Sequence, residues 1–192
     1  SYPLPGIYNL TLTSKSFCGE TDTSATVYVY PKPNVSFSTD NVCLNETNFF
    51  SSITSFDTAT TRIDICNNGD TNIIQVPAGS PIQSYQWSMG SIDGSYIGGT
   101  TASSQDPQFV FDSPGTKTVT LTVDDGRCTN SYSFTFQVYD LPIPYFSSEV
   151  VCAGDCTPIN DLSTSTDHPI ENWYWNLGDG TSYTLNYSND TC

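Results

Sequence analysis

Thiols are the most reactive groups in this chain, and there are seven of them: Cys18, Cys43, Cys66, Cys128, Cys152, Cys156 and Cys192. Thiolates either hold a soft metal or pair as disulfides. A structural zinc site needs closely spaced thiols or imidazoles, typically a Cys-x-x-Cys. No Cys-x-x-Cys occurs, and His168 is the single histidine. The pattern points to disulfides, hence to an oxidising, secreted or cell-surface setting, with no metal and no cofactor.

The other reactive side chains give no catalytic set. His168 precedes Pro169 in a loop, with no nucleophile or acid placed around it by the sequence. Carboxylate pairs for glycoside hydrolysis stay open on spacing alone. Yet Asp179 lies in Gly-Asp-Gly, and Asp124 and Asp125 precede Gly126, all of which are turn chemistry. No Asp-x-Asp-x-Asp-Gly series marks a calcium loop. The expectation is no enzyme. Candidate glycan acceptors are Asn9, Asn34, Asn45, Asn186 and Asn189, each in Asn-x-Ser/Thr. Thr58, in "DTA", resembles an O-glycosylation site of Bacteroidetes-type bacteria. The number of sequons carries no weight, since a chain so rich in Asn, Ser and Thr produces them by chance. Asn9 does fall on the outward face of its strand, and the others fall in loops. Glycans would suit a Ser/Thr-coated extracellular surface.

The elements that must carry these residues are strands. Aromatics make up 13% of the 192 residues and charged residues only 13%, and Val, Ile, Thr, Tyr and Phe dominate. No segment has helical periodicity. The class is all-β. Five basic residues against twenty acidic ones give a net charge of −15, which argues against nucleic acid as a partner. No apolar run is long enough to insert in a membrane and no leader is apparent, so the chain reads as a mature or excised piece.

Four blocks recur. "PIQSYQWSMG" (81–90) matches "PIENWYWNLG" (169–178), with Trp87 and Trp175 in step. "FSTDNVC" (37–43) matches "FSSEVVC" (146–152). "FDSPGTKTVTLTVDDGRC" (111–128) matches "YPLPGIYNLTLTSKSFC" (2–18). "VYDLPIPYF" (138–146) matches "VYPKPNVSF" (29–37). The central copy, 37–145, holds all four in order. The other copy is permuted: its first half is 146–192 and its second half 1–36. Joining residue 192 to residue 1 removes the permutation and leaves one domain of 83 residues beside the central one of 109. The excess lies in an insertion near 44–80. The expectation is one period of a longer array, with 146–192 completed by a 1–36-like segment of the next copy. A fragment of a non-repeating parent, or separate subunits exchanging strands, are the alternatives.

Alternation makes the buried faces explicit. Val119, Leu121 and Val123 alternate with threonines, as do Leu10 and Leu12. Trp87 and Trp175 are expected in the core, with Trp173 on the same face as Trp175 and Tyr174 opposite. Pro-Gly at 5–6 and 114–115 turns the chain into long strands. Pro31, Pro33, Pro142 and Pro144 stiffen the junctions.

"WNLGDG" (175–180), then "YPLPGIY" (2–8) and "NLTLT" (9–13), resemble the polycystic-kidney-disease-type (PKD) repeat, and "FDSPGTKTVTLTV" (111–123) is similar to its second half. The cysteines in "VVCAGD" (151–155) and "DDGRC" (124–128) resemble tandem PKD repeats of secreted bacterial surface proteins, especially large Bacteroidetes-type adhesins. "WSMGSIDG" (87–94) and the insertion depart from the pattern. The resemblance implies Ig-like β-sandwiches of about seven strands, arranged here as a rod. With the closed 192-residue period, the expectation is a structural repeat of an extracellular filament or adhesin whose partners are neighbouring copies, head to tail. The alternative is a binding or spacer module of a secreted polysaccharide- or protein-degrading enzyme.

Matching positions suggest the disulfides. Cys43 is paired with Cys128, Cys152 with Cys18 of the next copy, and Cys156 with Cys192; Cys66 is left over. Bridges between neighbouring domains are the alternative. Two sandwiches of about 35–45 Å each would give an axial period of about 70–90 Å.

Overall fold

The computed structural model describes residues 1–40, 42–65, 70–90 and 93–185, the last without the side chains of Tyr183 and Leu185. Among these residues there are sixteen strands and no helix.

The central part is a β-sandwich. One sheet has the order β3 (Asn34–Thr39), β5 (Thr47–Ser55), β10 (Gln108–Phe111), β9 (Gly94–Ile97). The other has the order β4 (Val42–Cys43), β12 (Thr129–Tyr139), β11 (Gly115–Asp124), β8 (Ser84–Ser88). All pairs are antiparallel except β4 with β12, which run parallel. The chain enters at one end, here the leading end, where β3 starts and β11 turns into β12. It leaves at the trailing end, where β12 finishes beside β4.

Period-2 alternation builds the core. Val119, Leu121 and Val123 point inward from β11 and are fully buried. Their threonine neighbours face out and bond across to β12: Thr118 with Thr135, Thr120 with Ser133 and Thr122 with Ser131, at 2.8–2.9 Å. Trp87 fills the space between the sheets at 2% exposure. Its ring meets Phe37 at 5.1 Å and Phe50 at 5.6 Å, and its indole N–H donates to the Ser104 carbonyl at 2.9 Å. A buried tryptophan is tolerated because that one polar group is satisfied. At the trailing end, buried Lys117 pairs with Asp93 and donates to Ser113 Oγ at 2.9 Å.

Three smaller parts surround the sandwich. β1 (Gly6–Ser16) and β2 (Gly19–Val29) form a long two-stranded sheet in unbroken register from Gly6↔Val29 to Ser16↔Gly19. The insertion contains a hairpin, β6 (Thr60–Ile65) and β7 (Thr71–Val76), which leans on the start of β1. There the Arg62 guanidinium donates to the Pro5 carbonyl at 2.6 Å and the Tyr8 hydroxyl at 3.1 Å. Packing is tight enough that a Cβ added at Gly6 would sit 2.6 Å from Ile74 Cγ2. After the sandwich, β13 (Phe146–Ser148) pairs with β14 (Ile159–Asp161), and β15 (Trp173–Asn176) with β16 (Ser182–Leu185). Each pair is a sheet by itself.

Candidate assembly surfaces

Two faces stand out because each has a buried counterpart in the central sandwich. The β1–β2 hairpin matches β11–β12. Both begin at Pro-Gly, both place a cysteine immediately before the return strand, and both return strands have eleven residues. Gly6↔Val29 corresponds to Gly115↔Val138, which places Leu10 at the position of Val119 and Leu12 at that of Leu121. Val119 and Leu121 are 0% exposed, whereas Leu10 is 46% and Leu12 65% exposed. Among the described residues, no third strand is hydrogen-bonded to this hairpin as β8 is to β11.

The second face lies after residue 145. β15 carries Trp173 and Trp175 on one side, both half-buried, and exposed Tyr174 on the other, as a strand must. Phe146 packs edge-on against Trp175 at 5.4 Å, the counterpart of Phe37 against Trp87. Together these residues line an open apolar groove of about 460 Å³ with Pro142, Tyr145 and Ile170. Phe37 and Val42 are buried, while their counterparts Phe146 and Val151 are exposed. At the groove's polar edge is Asp161. Burial pushes its carboxyl up, but the Ser163 hydroxyl and N–H outweigh this and hold it below the usual carboxylate range.

Two joints connect these faces to the sandwich. At the leading end, the Arg127 guanidinium stacks on the Tyr30 ring at 4.5 Å, and the Asn130 side-chain amide donates to the Pro33 carbonyl at 2.9 Å. Pro31 and Pro33 are buried there. At the trailing end, the Tyr139 ring packs on His168 at 4.6 Å, and the Asp140 N–H donates to Asp167 at 2.6 Å. Tyr30 and Tyr139 are equivalent residues of the repeated "VY" block. Neither contact was legible in the alternation pattern. That the block repeats beside the junction prolines was the available signal.

The acidic turns are built as turns. The N–H groups of Cys128 and Arg127 donate to Asp125 at 2.7 and 2.9 Å. Asp125 is buried, which raises its pKa, but these bonds outweigh burial and hold the carboxyl below its usual value. Asp124 accepts from the Gly126 N–H at 2.6 Å, where a positive φ of 84° requires glycine. Asp179 accepts from the Thr181 N–H and hydroxyl, which lower its pKa. The His168 ring packs on that of Tyr139. Of the glycan candidates, Asn9, Asn34, Asn45 and Thr58 are exposed, and Asn186 and Asn189 lie outside the described residues. Asn34, expected in a loop, instead opens strand β3, opposite Ser55. Asn34 donates to Asp57 at 3.1 Å, and Asn9 accepts from the Thr26 hydroxyl at 3.0 Å.

The cysteines require a correction. Cys43 and Cys128 are not paired with each other but free, as are Cys18 and Cys152. Cys43 lies opposite Tyr139 at the trailing end, while Cys128 immediately precedes Thr129 at the leading end. The length of β12 separates them, roughly 34 Å. A disulfide needs Cα atoms within about 7 Å. Their sequence positions match those of Cys152 and Cys18, but the short parallel strand β4 carries Cys43 to the far end from the hairpin turn. Cys156 is disulfide-bonded. Cys192, its expected partner, and Cys66 lie outside the described residues.

Comparison with known families fits this geometry. Residues 54–138 match the PKD domain family. The central sandwich is a PKD-type Ig-like domain. No curated protein matches the chain. The PKD match starts late in β5 and runs to the end of β12, so it covers the insertion hairpin and most of the sandwich. PKD domains are typically non-catalytic binding or spacer modules of extracellular or surface proteins.

Proposed function

We propose that this chain is the structural repeat of a secreted or cell-surface filament or adhesin, in which copies join head to tail by completing one another's sandwiches. The observation that carries this is the pair of uncovered faces. β1–β2 repeats a buried hairpin residue by residue, with its inward leucines in solvent. The segment after residue 145 presents the strand that should cover it. Apolar patches of this kind mark interaction surfaces, and the free edge of β1 is a template for pairing. The register follows from the PKD domain. Leu121 lies opposite Trp87, so Leu12 of one copy lies opposite Trp175 of the preceding one. Each composite sandwich then contains residues 146–192 of one copy and 1–36 of the next, alternating with a complete sandwich at 37–145. Proline-bearing joints make the array a rod with a period of about 70–90 Å. Whether copies are one polypeptide or separate subunits does not alter these contacts. Exposed Asn and Thr acceptors leave its outer surface open to glycans.

The test is assembly of the purified chain followed by negative-stain microscopy and sedimentation. Filaments are expected, and the double substitution Leu10→Asp, Leu12→Asp should abolish them while leaving the central sandwich's melting transition in place. Compact monomers at high concentration would refute the reading. The family's usual role favours one other reading, a spacer or binding module of a secreted degradative enzyme. A single copy beside a hydrolase domain in the parent gene would support it.

A further inference from the structure

The four thiols that are free among the described residues fall at positions where consecutive sandwiches would meet. In the PKD domain, Cys43 is the register partner of Tyr139, one strand spacing away, about 4.8 Å. Tyr139 reaches across the joint to His168. By the repeated blocks, His168 corresponds to Ser80, and Ser80 accepts from Arg127, the neighbour of Cys128. The counterpart of Cys128 in the composite sandwich is Cys18, so Cys18 of the next copy belongs beside His168. The second joint repeats the first. Cys152 corresponds to Cys43, and its register partner would be Tyr30 of the next copy. That Tyr30 lies under Arg127, adjacent to Cys128.

Resting on the head-to-tail reading, we infer that Cys43 of one copy is disulfide-bonded to Cys18 of the next, and Cys152 of one copy to Cys128 of the next, so that every joint between sandwiches carries a covalent staple. Each bond removes two electrons and two protons from a pair of thiols. The acceptor is the disulfide of an extracytoplasmic thiol–disulfide oxidoreductase. One cysteine thiolate attacks that disulfide and expels one of its sulfurs. The second cysteine then attacks the mixed disulfide, forming the new S–S bond, and the oxidant leaves as a dithiol. The chemistry fits the positions: Cys18 and Cys152 are exposed, and Cys43 and Cys128 half-buried. None is shielded from an oxidant, and each would become covered only on joining. Intradomain pairing is excluded by the length of β12.

The experiment is peptide mapping of the assembled protein after alkylation, without reduction, on material mixed from isotopically light and heavy preparations. Cys43–Cys18 and Cys152–Cys128 peptides are expected. Relative to the unsubstituted chain, Cys43→Ser should free Cys18 alone, one additional alkylatable thiol per chain, and Cys128→Ser should free Cys152 alone. Mixed light–heavy linkages place a bond between separate chains. Filaments whose four thiols are all alkylated would overturn the staples and leave head-to-tail assembly standing. A Cys43–Cys128 peptide would overturn the staple scheme in any material. Monomers with four free thiols would overturn both assembly and staples.

Discussion

The hairpins β1–β2 and β11–β12 have nearly the same pattern and opposite fates. Each begins at Pro-Gly, alternates apolar with Thr or Ser, turns at a cysteine and returns through eleven residues. Both form complete ladders, because pairing across a short turn is decided locally. Only β11–β12 is covered. Its inward side chains meet Trp87, Phe37 and Phe50, whereas Leu10 and Leu12 meet solvent. Strand formation is thus written within each hairpin, but burial is written in a second segment that need not be adjacent in the chain. Under the proposed head-to-tail joining, that second segment would come from a neighbouring copy.

Substitutions can break this comparison in order of size. Trp87→Ala should cost the PKD domain about 3–5 kcal/mol, read from denaturant unfolding. The same change at Trp175 should alter the isolated chain little and weaken assembly strongly. Equal losses at both sites in isolated chains would mean that β15 is already covered. Next, Leu121→Ala should cost about 2–5 kcal/mol in any state. Leu12→Ala should match it only in the assembled form, as a lower melting temperature of filaments against unchanged monomers.

A smaller effect separates the two hairpin turns. Asp125 organises the turn before Cys128, and the tight turn at Phe17–Cys18 has no counterpart carboxylate. The folded pKa of Asp125 is depressed below the unfolded value of about 3.9. Its contribution is therefore present above that pH and is lost as pH falls through the folded value. Asp125→Asn should lower stability by about 1 kcal/mol at neutral pH and flatten the acid limb of the stability profile. An unchanged acid limb would show that the turn does not depend on this charge.

Much of the fold was legible because alternation and Pro-Gly turns are local signals. "TVTLTV" (118–123) and "NLTLT" (9–13) each show which side of the strand is apolar. Three features were not legible. The insertion's hairpin is held by Arg62 reaching Pro5 and Tyr8, a contact between residues more than fifty positions apart. The stacking of Tyr30 on Arg127 and of Tyr139 on His168 depends on how the flanking segments abut the central sandwich, which no single strand encodes. The cysteines misled for a related reason. Matching Cys43 to Cys152 and Cys128 to Cys18 rests on similar sequence blocks, which do not say which end of the sandwich each occupies. Only the crossing of β4 onto the second sheet fixes that.

The central claim is that β1 of one copy completes the sandwich begun by β15 of the preceding copy. High-resolution cryo-electron microscopy of the assembled protein tests it directly. The account predicts a polar filament with an axial period of about 70–90 Å. In it, β1 is hydrogen-bonded to β15 across the copy boundary, and Leu12 lies opposite Trp175. Finding residues 1–36 folded onto 146–185 of the same chain, or β1 and β15 both still uncovered within an ordered filament, would contradict it.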